Sequence, residues 1–208
     1  MQQAEMDEIA RSLALGLSHN STVLRQDLLQ LLIEGQPVSV EQLSAATDRP
    51  VEEIKAELAD LPNLEYNEQG NIVGSGITQV QTPHHFNVNG HELYTWCALD
   101  TLFYPILLQQ TAQVESTCPV TGKHIRLTVS PKRVEFYEPS GAVMSLVVPE
   151  ALEAWSNIRG SFCNHIYFFE NRFVAQDYLA TNTGTMILTI EEAFELGRQT
   201  MEYRKFRV

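Results

Sequence analysis

The hydrophobic pattern of this chain changes period near residue 64, from a helical spacing to the short alternating runs that are typical of strands. Before that point, apolar residues recur three or four positions apart. They are Ile9, Leu13, Leu17, Leu24, Leu28, Leu31, Leu32, Leu43, Ala46, Val51, Ile54 and Leu58. Ser39 with Gln42 is a capping-box start, and Pro50 opens a further segment. Residues 1 to about 62 are therefore predicted to be helical.

A β-hairpin is predicted directly after these helices, because residues 64–66 and 72–73 flank a turn that ends in Gly70. Helices followed by a hairpin favour a winged-helix-like arrangement. Residues 1–80 carry only 4 basic side chains against 13 acidic ones, however, so this region would repel a phosphate backbone. We expect it to be a structural domain that does not bind DNA.

Gly74, Gly76 and the Thr82-Pro83 step mark the predicted domain boundary, so the domains are 1–80 and 81–208. In the second domain, strand patterns flank the turns at Asn89-Gly90, 119–122 and 139–141 and predict an antiparallel meander. Further strands are predicted at 162–169 and 184–188. Helices are predicted at 97–109, at 149–156, at 172–180 and from Thr189, which can form a capping box with Glu192. The fold class is α+β: a small helical winged-helix-like domain, then a mainly antiparallel sheet with packed helices.

Composition excludes several classes of protein. The net charge of -12 disfavours nucleic acid and anionic membrane surfaces as partners, and no apolar run is long enough to span a bilayer. The acidic N-terminus does not resemble a secretory signal. Three cysteines without a Cys-x-x-Cys pair fit a reducing cytoplasm rather than a disulfide framework or a zinc ribbon. Phosphate-binding glycine loops and the common hydrolase motifs are absent as well.

Cys97 and Asp100 are the first candidate site residues. They are three positions apart, so in a helix they share one face. Cys97 stands where the strand pattern ends and the helical one begins, and a thiolate there would be stabilised by the helix N-terminus. Asp100 could then approach the same ligand. The alternative is a small buried cysteine beside a surface aspartate.

Cys163 is the third candidate. In a strand over 162–169, its side chain would share a face with His165 and Tyr167, a weak metal-ligand pattern that is also compatible with simple core packing. If Cys163 and Cys97 meet, two thiols and a carboxyl would form a binding site for a soft metal. Cys118 precedes a Pro at a turn without a nearby acid or histidine, so we expect it to be structural.

Three other functions compete with a metal-dependent reaction at these residues. A metal-responsive regulator would suit the winged-helix-like start, but it requires a basic face. A cysteine hydrolase could pair Cys97 with a histidine such as His165, which would leave Cys163 without a role. A non-catalytic soft-metal carrier would use both cysteines and differ from an enzyme only in lacking turnover.

The chain resembles the organomercurial (alkylmercury) lyase family at these same residues. The resemblance rests on Leu-Tyr-Thr-Trp-Cys-Ala-Leu-Asp-Thr-Leu (93–102), Leu-Thr-Val-Ser-Pro (127–131), Arg-Gly-Ser-Phe-Cys (159–163) and His-Ile-Tyr-Phe-Phe (165–169). It is strongest over residues 64–170. The resemblance implies cleavage of carbon–mercury bonds to a hydrocarbon and Hg(II), with Cys97 and Cys163 as mercury-binding thiols. It also implies that Asp100 handles the proton beside the mercury and that Cys118 is structural.

This chemistry requires neither an organic cofactor nor a resident metal, because mercury is both substrate and product. Thiolates outcompete oxygen and nitrogen ligands for so soft a metal, and a nearby acid can protonate the carbon bound to it. External thiols are expected to be needed for product release. The family also implies a mercuric reductase as the acceptor of Hg(II).

Overall fold

The computed structural model describes residues 2–18, 23–148, 157–180 and 184–205. The helices are α1 (Gln3–Ser18), α2 (Val23–Leu32), α3 (Val40–Thr47), α4 (Val51–Asp60), α5 (Ala98–Leu108), α6 (Ile158–Ser161), α7 (Arg172–Leu179) and α8 (Ile190–Lys205). The strands are β1 (Glu65–Tyr66), β2 (Ile72–Ser75), β3 (Ile77–Thr78), β4 (His84–Val88), β5 (His91–Thr95), β6 (Ala112–Thr117), β7 (His124–Val129), β8 (Val134–Glu138), β9 (Val143–Val147), β10 (Phe168–Phe169) and β11 (Thr185–Thr189). A 3₁₀ turn spans Cys163–His165. No described helix is both long and apolar enough to cross a membrane.

The N-terminal region is helical, as predicted, and its helices start where the sequence indicates. The Ser39 hydroxyl accepts from the N–H of Gln42, whose side chain accepts from the N–H of Ser39, which completes the predicted capping box. A small core formed by α2, α3, α4 and the first hairpin buries their shared apolar faces. Its members are Leu24, Leu28, Leu32, Val38, Leu43, Ile54, Leu58, Leu61 and Ile72.

Two antiparallel sheets follow, which confirms the α+β class. The larger has the order β1-β2-β3-β5-β4-β6-β7-β8, and the smaller has the order β10-β9-β11. The predicted hairpin at Asn89-Gly90 joins β4 to β5, with both residues at positive φ (53° and 80°). The hairpin of β1 and β2 continues through β3 into the larger sheet.

The packing of α1 joins the two parts of the chain. Its buried residues Met6, Ile9, Ala10 and Leu13 belong to the large core beneath the main sheet, and α1 packs against α8. The predicted capping box of α8 is present, since Thr189 and Glu192 exchange hydrogen bonds of 2.9 and 3.1 Å. The domain boundary near residue 80 stays a prediction.

Two strand predictions need correction. The meander over β6, β7 and β8 does not continue into β9, which pairs with β10 and β11 in the smaller sheet. The segment 162–169 is mostly not a strand, because the 3₁₀ turn Cys163–His165 occupies its first half and only Phe168–Phe169 pairs with β9. The helix predicted at 149–156 lies outside the described residues.

Candidate active site

Cys97 lies at the junction of β5 and α5. It is the N-cap residue of α5 and has an extended backbone (φ −149°, ψ 169°). Two contacts fix this junction: the Thr95 hydroxyl donates to the Cys97 carbonyl at 3.0 Å, and the Trp96 N–H donates to the Gly76 carbonyl at 2.9 Å. Asp100 follows in the first turn of α5. Its carboxyl therefore lies on the same side of the helix start as the Cys97 thiol, as the three-residue spacing predicts.

Cys163 comes from a different part of the chain. Asn157 caps α6 by accepting from the Gly160 N–H at 3.0 Å, and the 3₁₀ turn begins at Cys163. Ser145 of β9 holds the end of this segment, because its hydroxyl donates to the His165 carbonyl and accepts from the Tyr167 N–H. The Ser145 side chain thus makes hydrogen bonds that the backbone of a paired strand would otherwise make. This explains why β10 is shorter than the predicted strand. Cys163 and His165 consequently do not stand on one face of a strand.

One backbone hydrogen bond joins the two cysteine segments directly. The Ala98 N–H, at the start of α5, donates to the Ile166 carbonyl at 3.1 Å. The N-terminal N–H groups of a helix have no partner within the helix, so Ile166 satisfies one of them. The contact brings the helix start that carries Cys97 against the turn that carries Cys163.

The structure brings Cys97, Asp100 and Cys163 together. One potential ligand atom from each, the two sulfurs and a carboxylate oxygen, lies within 4.8 Å of the others. Both thiols are buried, at 1% and 4% exposure, and neither is in a disulfide. No histidine belongs to this group among the described residues. The two thiols are ligands suited to a soft metal ion, and the carboxyl lies beside them.

Burial raises the pKa of the Cys97 thiol well above its ordinary value. The nearby Cys163 thiol and Asp100 carboxyl add to this shift, and the Asp100 backbone N–H opposes it. The helix start does favour a Cys97 thiolate through the Asp100 N–H, as expected, but this effect is smaller than that of burial. Removal of the charge from water outweighs the attraction of the helix start.

Burial also raises the pKa of Asp100 to about 7, although the thiol and the backbone N–H of Cys97 partly oppose the shift. Its Oδ2 atom is buried and accepts no hydrogen bond from the described residues. Desolvation disfavours a carboxylate, so the carboxyl holds a proton up to about neutral pH. A carboxyl that exchanges a proton near pH 7 is suited to general acid–base chemistry.

A cavity of about 90 Å³ opens beside Asp100 and Cys163, and its walls are mainly apolar. They are formed by Leu17, Arg25, Leu29, Leu99, Asp100, Phe103, Tyr104, Leu107, Ile158, Phe162, Cys163, Met201 and Arg204. A smaller space, which also borders Asp100 and Cys163, is lined by Trp96, Gly76 and Ser75, among others. Asp100 and Cys163 thus border a mainly apolar space that can accept an organic group.

Several residues of the site carry no local sequence signal. Tyr104 borders both spaces and donates to the Ser75 carbonyl at 3.0 Å. Gly76 has φ +87°, and a Cβ there would collide with the Tyr104 hydroxyl. Gly76 lies at the predicted domain boundary, and in the structure it also makes room for the Tyr104 side chain. Only the tertiary fold reveals this role.

Cys118 lies outside the group of Cys97, Asp100 and Cys163. It follows β6 and is 1% exposed, and its N–H donates to the Lys123 carbonyl while its carbonyl accepts from the Gly122 N–H. Its backbone thus closes the turn between β6 and β7. A structural role for this cysteine stays a prediction.

Comparisons with known proteins identify the family of this chain. A family model described as alkylmercury lyase matches residues 77–202, and one described as the helix-turn-helix domain of alkylmercury lyase matches residues 7–76. An alkylmercury lyase from Staphylococcus epidermidis is 49% identical over 175 residues, which is 84% of this chain and 80% of that protein. One from Pseudomonas putida is 43% identical over 191 residues, covering 91% and 89%. A crystal structure described as the mercury-bound form of MerB2 superposes with a TM-score of 0.76 at 21% identity, covering 97% of this chain and 100% of that one, and supports the fold.

Proposed function

Because this chain belongs to the alkylmercury lyase family, we propose that it cleaves the carbon–mercury bond of organomercurials by protonolysis, releasing a hydrocarbon and Hg(II). The observation that carries this proposal is the group formed by Cys97, Cys163 and Asp100, whose potential ligand atoms lie within 4.8 Å of one another. We assign mercury binding to the two thiols. Asp100, which also lies within reach of the bound mercury, is assigned the transfer of the proton.

Substrate binding is the first step. The mercury atom of R–Hg–X forms a bond to one of the two sulfurs, X leaves, and the thiol proton is released to the site or to solvent. Mercury replaces hydrogen readily on a thiol because sulfur is a soft ligand and Hg(II) a soft metal. The raised pKa of Cys97 means that this thiol brings a proton to the reaction instead of losing it to solvent beforehand.

The second step delivers a proton to carbon. When the other thiol binds mercury, its proton passes to the carboxylate form of Asp100, and two sulfur ligands then donate electron density through the metal to the attached carbon. Asp100 transfers the proton to that carbon as the carbon–mercury bond breaks. The electron pair of the carbon–mercury bond forms the new C–H bond. The products are R–H, Hg(II) held by two thiolates, and an Asp100 carboxylate. With a pKa of about 7, Asp100 can both accept and give this proton near neutral pH.

The cavity contributes by excluding water. Its apolar lining provides space for the organic group R and lowers the local dielectric, which strengthens the interaction of the carboxyl with its proton acceptor. Removing Hg(II) from two thiolates requires competing thiols, so we propose external thiols as partners and a mercuric reductase as the final acceptor. No resident cofactor enters the scheme. Three free cysteines fit a reducing cytoplasm, where we propose that the protein works.

The alternatives have less support. A cysteine hydrolase needs a base in contact with its nucleophile, but the groups that affect the Cys97 thiol are Cys163 and Asp100 rather than a histidine. A DNA-binding regulator conflicts with the acidic N-terminal region. A mercury carrier would share the same three side chains, and only turnover separates it from a lyase.

Methylmercury turnover in excess thiol provides the test, with Asp100→Asn as the informative variant. We expect it to bind methylmercury stoichiometrically by mass spectrometry but to release methane about 100-fold more slowly or worse, the usual contribution of a general acid. Asp60→Asn, which alters an exposed carboxylate at the end of α4, is the matched control and should turn over normally. Methane release by Asp100→Asn at the wild-type rate would refute the assignment of the proton donor.

A further inference from the structure

Two arginines border the same cavity as Asp100 and Cys163, and the proposed protonolysis uses neither of them. Arg25 reaches the cavity from α2 and Arg204 from the last turns of α8. Both are partly buried, and each has a pKa lowered mainly by burial. The chain has a net charge of -12, so a general excess of basic residues does not explain two arginines at one small apolar cavity.

The two cations are close enough to influence one another. The Arg204 charge contributes to lowering the pKa of Arg25, and both arginines favour the ionised form of the Tyr104 phenol, which lines the same cavity. The contacts that the structure gives Arg25 include the Ser75 hydroxyl at 2.7 Å and the Pro62 carbonyl at 2.6 Å, which are neutral acceptors. Arg204 donates to the Met201 sulfur at 3.7 Å, and none of the ion pairs of the described residues includes it.

These arginines do not serve the Asp100 carboxyl. The Oδ2 atom of Asp100 is buried and accepts no hydrogen bond from the described residues, the two guanidinium groups included. Both arginines thus belong to the mainly apolar lining of the cavity that Asp100 and Cys163 border.

We propose that Arg25 and Arg204 form a carboxylate subsite that favours organomercurials whose organic group carries a carboxylate remote from mercury. This inference rests on the proposed function and concerns which substrates the same site prefers. A guanidinium matches a carboxylate in geometry as well as charge, and such a pair is stronger in an apolar surrounding than at the surface. The carboxylate would also relieve the repulsion between the two arginines.

The test compares two substrates of nearly equal size: phenylmercury carrying a para-carboxylate and phenylmercury carrying a para-carboxamide. All assays use 2-mercaptoethanol, a neutral thiol, so that a carboxylate on the thiol cannot occupy the subsite. We expect the wild type to prefer the carboxylate in kcat/KM by about tenfold or more, the effect of one charge-assisted hydrogen bond.

Arg204→Met should lower kcat/KM for the carboxylate much more than for the carboxamide and so remove most of this preference, and Arg204→Lys should retain part of it. Arg198→Met is the matched control on α8, because Arg198 pairs with Glu195 and Glu202 away from the cavity, and it should keep the full preference. Equal kcat/KM values of the wild type for the two substrates would overturn the subsite. An equal fold-loss of kcat/KM on both substrates in Arg204→Met would overturn it as well.

Two further measurements keep the outcome unambiguous. If Arg204→Met does not fold by circular dichroism, benzoate should still inhibit phenylmercury cleavage by the wild type more strongly than benzamide, and equal inhibition would overturn the proposal. Benzene release from unsubstituted phenylmercury reports on the proposed function separately. Cleavage without any carboxylate preference refutes only the subsite, whereas no cleavage at all refutes the lyase activity.

Discussion

The indole N–H of Trp96 donates to Glu65 Oε2 at 2.9 Å, and the other carboxylate oxygen of Glu65 is paired with Arg159. Trp96 directly precedes Cys97, and Arg159 lies in the helical turn before Cys163. The Arg159 guanidinium also lies over the Trp96 ring, 5.4 Å from its centre. One carboxylate of the first hairpin therefore contacts both segments that carry the thiols.

Glu65→Ala should destabilise the protein and reduce turnover, because it leaves the Trp96 N–H and the Arg159 charge without their partner. We expect a loss of about 2 kcal/mol in the free energy of unfolding, measured with urea, as for other buried hydrogen bonds to a charged group. Glu52→Ala is the control, since the Glu52 side chain is 85% exposed in its ion pair with Lys55. Equal stabilities of the two variants would contradict this role of Glu65.

The stability of the protein should depend on pH through Asp100. Its pKa is raised from 3.8 to about 7, so between these values the folded protein holds a proton that the unfolded chain has lost. The resulting stabilisation is complete below pH 3.8 and is lost as pH rises towards 7, by up to about 4 kcal/mol. The variant Asp100→Asn lacks this dependence. It should gain stability relative to the wild type between pH 5 and pH 8, and a pH-independent difference would show that the carboxyl is not buried as described.

Cys97 should remain a thiol over the physiological pH range. Burial raises its pKa, so the ultraviolet absorbance of thiolate should be the same in the wild type and in Cys97→Ala up to about pH 8.5, where an ordinary thiol is half ionised. Extra thiolate absorbance in the wild type at pH 7 would mean that the helix N-terminus outweighs desolvation.

Cys118→Ala should behave differently from substitutions of the other two cysteines. Its side chain is buried next to the turn between β6 and β7 and is not part of the ligand group. We expect a loss of about 1 kcal/mol in unfolding free energy, as for a typical small core truncation, and wild-type cleavage of phenylmercury. A loss of cleavage in a variant that still folds would require Cys118 to have a role in the reaction.

Local features of the fold follow well from the sequence. The capping boxes at Ser39 and Thr189 and the turn at Asn89-Gly90 depend on residues within three positions, so their signals are complete in the chain itself. β9 enters a second sheet through its pairing with β10 and β11, and the irregular path around Cys163 depends on hydrogen bonds to Ser145 of β9. In both cases the partners lie far apart in sequence. Such distant hydrogen bonds leave no periodic pattern.

The candidate site shows the same division. Cys97, Asp100 and Cys163 could be identified because their residue types and spacing indicate chemistry, and the family resemblance connects the two segments. Glu65 and Arg204 could not, since an acid in a hairpin and an arginine near the C-terminus are typical of exposed surface. Only the packing of α8 against α5 and the contact of the first hairpin with Trp96 bring them to the site.

Methane release from methylmercury in excess thiol, quantified in the headspace for the wild type, Cys97→Ala, Cys163→Ala and Cys118→Ala, tests the central claim most directly. If Cys97 and Cys163 together hold the mercury, the wild type and Cys118→Ala will release methane through repeated turnovers, and the other two variants will release none above the thiol blank. Wild-type methane release by folded Cys97→Ala or Cys163→Ala would contradict the account.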